Sequence, residues 1–189
     1  MQSNESILGK HAAFTASSFG NKVTGAKAKY LDGFNITLNG LTTSTTAVAA
    51  ANMLNLINPF EVKVGGIPQI RTRMADLFAF NVLALQHIPE IRTSGATDND
   101  EWIVQGLWAP AWWPPTLAET IVDLTFNAVT ISDNTEVTVT AEYLDRKQNK
   151  PALYYGGQEQ NTSGVDSTEF GNGQFTVNTI GDLIGILFF

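Results

Sequence analysis

The sequence predicts an all-β fold, an antiparallel β-sandwich or jelly roll of about eight strands with one short inserted helix. Three observations on the 189 residues lead there. Short apolar and polar alternations recur along the chain, separated by Gly, Pro, Asn and Ser turn signals. Only one stretch keeps helical spacing over several turns. Charged residues make up 15%, below the roughly 25% of an ordinary soluble domain, while Thr and Asn are plentiful, which favours strands and turns. Strand count alone leaves an immunoglobulin-like sandwich open; the mid-chain helix tilts the choice, because a jelly roll accommodates an insert between strands at one end.

Residues 1–29 are rich in Ser, Ala, Gly and Asn without a sustained period, which predicts an extended N-terminal arm that orders on a partner. Residues 30–189 then form a single domain. In GFNITLNG, Phe34, Ile36 and Leu38 alternate with Asn35, Thr37 and Asn39, a half-buried strand closed by an Asn39-Gly40 turn. AVAAANMLNLI reads as a short helix or a buried strand and ends at Pro59. FEVKVGGIPQI reads as a hairpin, with Phe60, Val62 and Val64 on one face, Gly65-Gly66 in the turn and a second strand from Ile67 to Thr72. In MADLFAFNVLAL, Met74, Leu77, Phe78, Val82 and Leu85 fall at helical intervals. After the loop TSGATDND, EWIVQGLW reads as a strand, and TIVDLTFNAVTI and TEVTVTAEYL as two strands of a hairpin joined through Ser132-Asp133-Asn134. Gly156 to Gly173 reads as a loop, and QFTVNTI and LIGILFF as closing strands.

At this length one domain removes roughly 70% of the unfolded surface from water, so no metal or disulfide staple is required. The net charge of −7 argues against gripping nucleic acid. Cysteine is absent, which removes disulfides, thiol catalysis and cysteine-ligated zinc. The N-terminus lacks the pattern of a secretory signal, and no apolar run approaches the ~20 residues of a membrane span. His11 and His87 have no close-spaced ligand partner, and no hydrolase, metalloprotease or phosphate-loop motif is present. The expectation is therefore no catalytic, cofactor-binding or metal-binding residue and no small-molecule substrate. The loop Asp98-Asn99-Asp100-Glu101 is the best cation candidate, set against a solvated turn. Arg71, Arg73 and Arg92 read as ion-pair partners rather than a nucleic-acid site, and Asp145-Arg146-Lys147 with Lys150 as a solvent-facing turn.

LWAPAWWPP, Leu107 to Pro115, holds three of the four tryptophans. A sugar platform needs polar side chains beside the rings, and none lies between Trp108 and Pro115. Trp102 and Trp108 suit a core. Adjacent residues of an extended segment point opposite ways, so of Trp112 and Trp113 at least one ring should leave the core. Tryptophan anchors protein interfaces, and proline holds it there at little ordering cost. The predicted interface residues are Trp108, Trp112 and Trp113, with Phe188 and Phe189 of the apolar tail.

INPFEVKVGGIPQIRTRMADLFAFNVLAL, Ile57 to Leu85, resembles the early part of upright jelly-roll capsid proteins of the adenovirus-like lineage. The likeness is to the single-jelly-roll kind of tailless icosahedral viruses with an internal membrane. Leu56-Ile57-Asn58 leads into the strand Phe60 to Val64, the turn is Gly65-Gly66, and Asp76-Leu77-Phe78-Ala79 opens the helix. FNITLNGL resembles the first strand of the same sheet. The chain is too short for the double jelly roll common in that lineage. The resemblance implies a structural protein located in the virion and assembled in the host cytoplasm, not an enzyme. Its partners would be other capsid subunits, copies of itself or a second capsid protein, with the viral internal membrane nearby and no direct nucleic-acid contact. The alternative is a carbohydrate-binding jelly-roll module.

Overall fold

Alternation along the strands sorts side chains onto two sides of each sheet, and the two apolar sides meet. The computed structural model describes residues 2–11, 17–22, 29–42, 47–96, 100–127, 134–145, 149–150 and 152–156. In chain order they form β1 (Gln2–His11), β2 (Ser17–Lys22), β3 (Tyr30–Thr42), α1 (Ala50–Leu54), β4 (Ile57–Val64), β5 (Ile67–Thr72), α2 (Met74–Leu83), β6 (Glu90–Arg92), β7 (Asp100–Trp113), β8 (Thr120–Phe126), β9 (Asn134–Leu144) and β10 (Tyr155–Gly156). One five-stranded sheet runs β1-β9-β3-β7-β6 and the other β10-β5-β4-β8-β2. The expected closing strands QFTVNTI and LIGILFF, with Phe188 and Phe189, lie outside the described residues, as do Ser132, Asp133, Arg146 and Lys147.

The first sheet turns Phe34, Ile36, Leu38, Val104, Leu107, Ala109, Val137, Val139 and Tyr143 inward, and the second answers with Phe60, Val62, Ile70, Val122, Leu124 and Phe126, all buried. Phe34 and Phe60 meet edge to face across the gap, with centroids 6.0 Å apart at 69°, the geometry the ring quadrupoles favour. Met53 of α1 and Met74 and Leu77 of α2 join the same core. Gly40 and Trp102 are direct register partners, and the indole lies so close over Gly40 that a Cβ there would stand 2.7 Å from three ring atoms. Asn39-Gly40 is therefore not a turn. β3 continues through it to Thr42, and the missing side chain makes room for the largest fully buried residue.

Successive strands mostly change sheets: among the described elements only β4–β5 and β6–β7 are neighbours in one sheet. This crossing pattern corrects two expectations. β8 and β9 do not form a hairpin, since β8 pairs with β4 and β2 while β9 pairs with β1 and β3; alternation fixes which residues point inward but carries no mark of which sheet a strand joins. For the same reason FNITLNGL and Phe60 to Val64, expected in one sheet, lie in opposite ones. The segment read as an arm holds an outer strand of each sheet. Residues 2–11 pair antiparallel with β9 and 17–22 with β8, because an edge strand is held by backbone hydrogen bonds and needs little apolar periodicity of its own. The sheets are not wholly antiparallel either: Tyr155 and Gly156 pair parallel with Ile70 and Arg71.

In the β4–β5 hairpin β5 has its expected bounds, β4 starts three residues earlier than expected, at Ile57, and Gly65 and Gly66 adopt φ of 58° and 83°. Nothing lies within 4 Å of a Cβ built on Gly66, so a substitution there tests backbone conformation alone. Gly66→Ala is expected to cost about 1–2 kcal/mol and lower the melting temperature by roughly 2–8 °C. Gly66→Asn, which tolerates the left-handed region, is expected to lose less in the same thermal scan.

Candidate functional site

β6 pairs with β7 only from Ile103 to Gln105, which leaves most of that edge of β7 to be closed by other means. His87 bonds the Gly106 carbonyl through Nε2 at 2.8 Å. The next clamp is Asn81 on α2. Its Nδ2 donates to the carbonyls of Leu77 and Trp108, each at 2.7 Å, and its Oδ1 accepts from the Trp108 N–H at 3.1 Å. A fully buried asparagine thus bonds both backbone groups of Trp108, as a neighbouring strand would. Further along, Leu153 N–H donates to the Ala111 carbonyl at 2.8 Å, and Trp113 Nε1–H donates to the Leu153 carbonyl at 2.7 Å. Asn81 does not stand out in the sequence as a site residue. Its signal was a polar residue four positions after Leu77, on the stripe that carries Met74 and Leu77.

These clamps fix where the tryptophans go. Trp113 is 5% exposed and stacks on Tyr154 at 5.9 Å. In the isolated chain it fills the chain's own core. Trp108 and Trp112 lie on the other face of β7, between buried residues, and both are half-buried. Trp112 has φ of 53°, a left-handed conformation that costs a non-glycine residue about 1–2 kcal/mol and persists where the surroundings over-determine it. The bonds holding Ala111 and Trp113 to Leu153 supply that constraint. The Lys150 ammonium stands 4.6 Å from the Trp112 ring centroid, a cation–π contact.

Around these two rings the outward face of the first sheet is polar. Gly33 stands opposite Pro110 on β7 and opposite Glu142 on β9, with the Trp108 ring 2.6 Å from where a Gly33 Cβ would be. Asp32 is the extra residue at a register break between Leu31 and Gly33, and its Oδ1 is buried without a hydrogen bond, as is Asn35 Oδ1. Burial raises the Asp32 carboxyl above its ordinary 3.8, and Lys150 opposes the rise. Glu142 is raised above 4.5 by burial and then by the Asp32 charge. Sequence analysis passed over Asp32 and Glu142; a bulge that places two carboxyls together leaves no mark in a single strand's pattern.

The remaining candidates are occupied by their own chain. Asp100 and Glu101 belong to β7 rather than to a loop; Asp100 accepts from Gly95 N–H and Glu101 pairs with Arg92 at 3.2 Å, while Asp98 and Asn99 lie outside the described residues. Arg73 grips Asp76 at 2.7 and 2.8 Å, and Arg71 lies 3.8 Å from Glu61, so the three arginines sit in three separate ion pairs. Lys63 bonds Asp123 at 2.5 Å and Glu61 at 2.9 Å, and those two carboxylates hold its ammonium above the usual lysine value. No group of three or more His, Asp or Glu gathers among the described residues, and no helix among them is long and apolar enough to cross a membrane. The four tryptophans form no exposed coplanar platform, since Trp102 and Trp113 are buried and Trp112 carries Lys150.

No protein-family model matches the chain, and no curated protein matches it in sequence. Among solved structures it is similar to the STIV major capsid protein, with a TM-score of 0.56 and 14% identity over 75% of this chain. The two share a jelly-roll fold. The chain spans about half, 48%, of that capsid protein's length. The shared fold agrees with the all-β sandwich class read from alternation.

Proposed function

We propose that this chain is a structural capsid protein, a single jelly roll that assembles by lateral contacts with copies of itself, or with a second capsid protein, into the shell of a virion. The likeness to the STIV major capsid protein carries the reading. Matching 48% of that chain suits a protein contributing one barrel. The low charge content supports it, because fewer ions have to be desolvated when neighbouring barrels touch. Trp108 and Trp112 are proposed as one lateral contact: both lie on the outward face of β7, are half-buried in the isolated subunit, and belong to the residue type richest at interface centres. Phe188 and Phe189 are proposed as a second contact from the tail.

The test is sedimentation velocity of the full chain over rising concentration, alone and mixed with the other proteins of the same particle. Concentration-dependent assembly is expected, with Trp112→Ala weakening association at least about tenfold, as loss of a modest interface anchor does, while leaving the melting temperature nearly unchanged. A monodisperse monomer under every condition would contradict the proposal.

A further inference from the structure

We propose that Asp32 and Glu142 are a neighbouring pair of proton-binding carboxyls whose contribution to the stability of the sandwich is larger in mildly acid solution than at neutral pH. The proposal does not depend on the chain being a capsid protein. Its basis is an imbalance of hydrogen-bonding groups on the outward face of the first sheet. The bulge at Asp32 sets that side chain beside Gly33, directly opposite Glu142. Asp32 Oδ1 and Asn35 Oδ1 are both buried acceptors that receive nothing. The Trp108 ring over Gly33 keeps water from one side. An acceptor that water and neighbours do not reach is costly while ionised, and a proton supplies the donor that the surroundings lack.

The charged groups around the pair do not cancel it. Lys150 attracts Asp32, but its ammonium lies over Trp112, and burial outweighs it. Lys29, at the start of β3, is paired with Asp145 at 3.1 Å. β1 pairs Ser3 with Glu142 in register. Both carboxyls are accordingly raised from 3.8 and 4.5, each chiefly by burial. An acid whose folded value lies above its unfolded one binds its proton more tightly when folded. Its stabilising contribution is complete below the unfolded value and disappears as the pH climbs through the folded one. The site therefore strengthens the fold as the pH falls from neutrality toward about 4.

The test compares melting temperatures of the full-length protein and its Asp32→Asn and Glu142→Gln variants between about pH 4 and pH 7.5. Each variant keeps the side chain's shape and removes its charge. At neutral pH each is expected to melt roughly 2–4 °C above the parent, and the advantage should vanish toward pH 4, where the parent's own carboxyls are protonated. Asp123→Asn, which removes a carboxylate bonded to Lys63, is expected to melt lower than the parent at neutral pH. If one variant fails to fold, the other carries the comparison, and carbon-detected NMR of the parent's Asp32 carboxyl should show it titrating above the ordinary aspartate range. Variants that melt below the parent at neutral pH, an offset that does not change with pH, or an Asp32 carboxyl titrating at or below its ordinary value would overturn the proposal.

Discussion

Replacing Trp102 with alanine is expected to destabilise the subunit by about 3–5 kcal/mol, a fall of roughly 10 °C or more in melting temperature. The ring is fully buried and covers the backbone at Gly40, so its removal leaves a cavity in the core. Gly40→Val tests the same contact from the other side. A Cβ at Gly40 would meet the ring at 2.7 Å, well inside van der Waals distance, so the substitution forces the indole out of its place or β3 out of register. Each single change is expected to be severe and the double variant less damaging than their sum, because the valine side chain enters the space the ring vacated. A thermodynamic cycle with denaturant measures the coupling. Additive effects would mean that the contact at Gly40 does not determine how Trp102 is held.

The second large effect is expected at Asn81. Asn81→Ala removes two hydrogen bonds from the Trp108 backbone and one from the Leu77 carbonyl and leaves buried groups unpaired, at a cost of about 2–4 kcal/mol. Hydrogen exchange supplies the specific readout. The Trp108 amide should exchange at least about tenfold faster in the variant, as a loss of about 1.4 kcal/mol of local protection requires, while the β4 and β8 amides keep their order of protection. Asn81→Asp retains the acceptor for the Trp108 N–H, loses both donations and buries a charge, and is expected to be at least as destabilising at neutral pH. A stability within about 0.5 kcal/mol of the parent would show that α2 does not close the β7 edge.

The sequence disclosed what local chemistry determines. The glycine pair at 65 and 66 demanded a tight turn, Val137, Val139 and Ala141 alternated with threonines, and Met74 and Leu77 recurred at helical spacing; each stands in the element expected of it. Properties that depend on pairing were hidden. Whether β8 neighbours β9 or β4 is decided by which partner completes a buried sheet, and Thr120 to Phe126 would satisfy either. Gly40 looked like a turn residue because its cross-strand partner, Trp102, lies far away in sequence. The polar face shows the same division. Adjacent tryptophans announced that at least one ring would leave the core, but which one depended on Leu153 and Tyr154 reaching back over Trp113. Asp32 and Glu142 became neighbours only through a bulge.

The central claim is that this sandwich is a building block whose outward tryptophan face meets a neighbour. Cryo-electron microscopy of particles containing the chain, at a resolution that traces strands, tests it most directly. The barrel is expected within the shell, with Trp108 and Trp112 covered by an adjacent subunit. A shell lacking the chain, or one in which that face stands open to solvent, would contradict it.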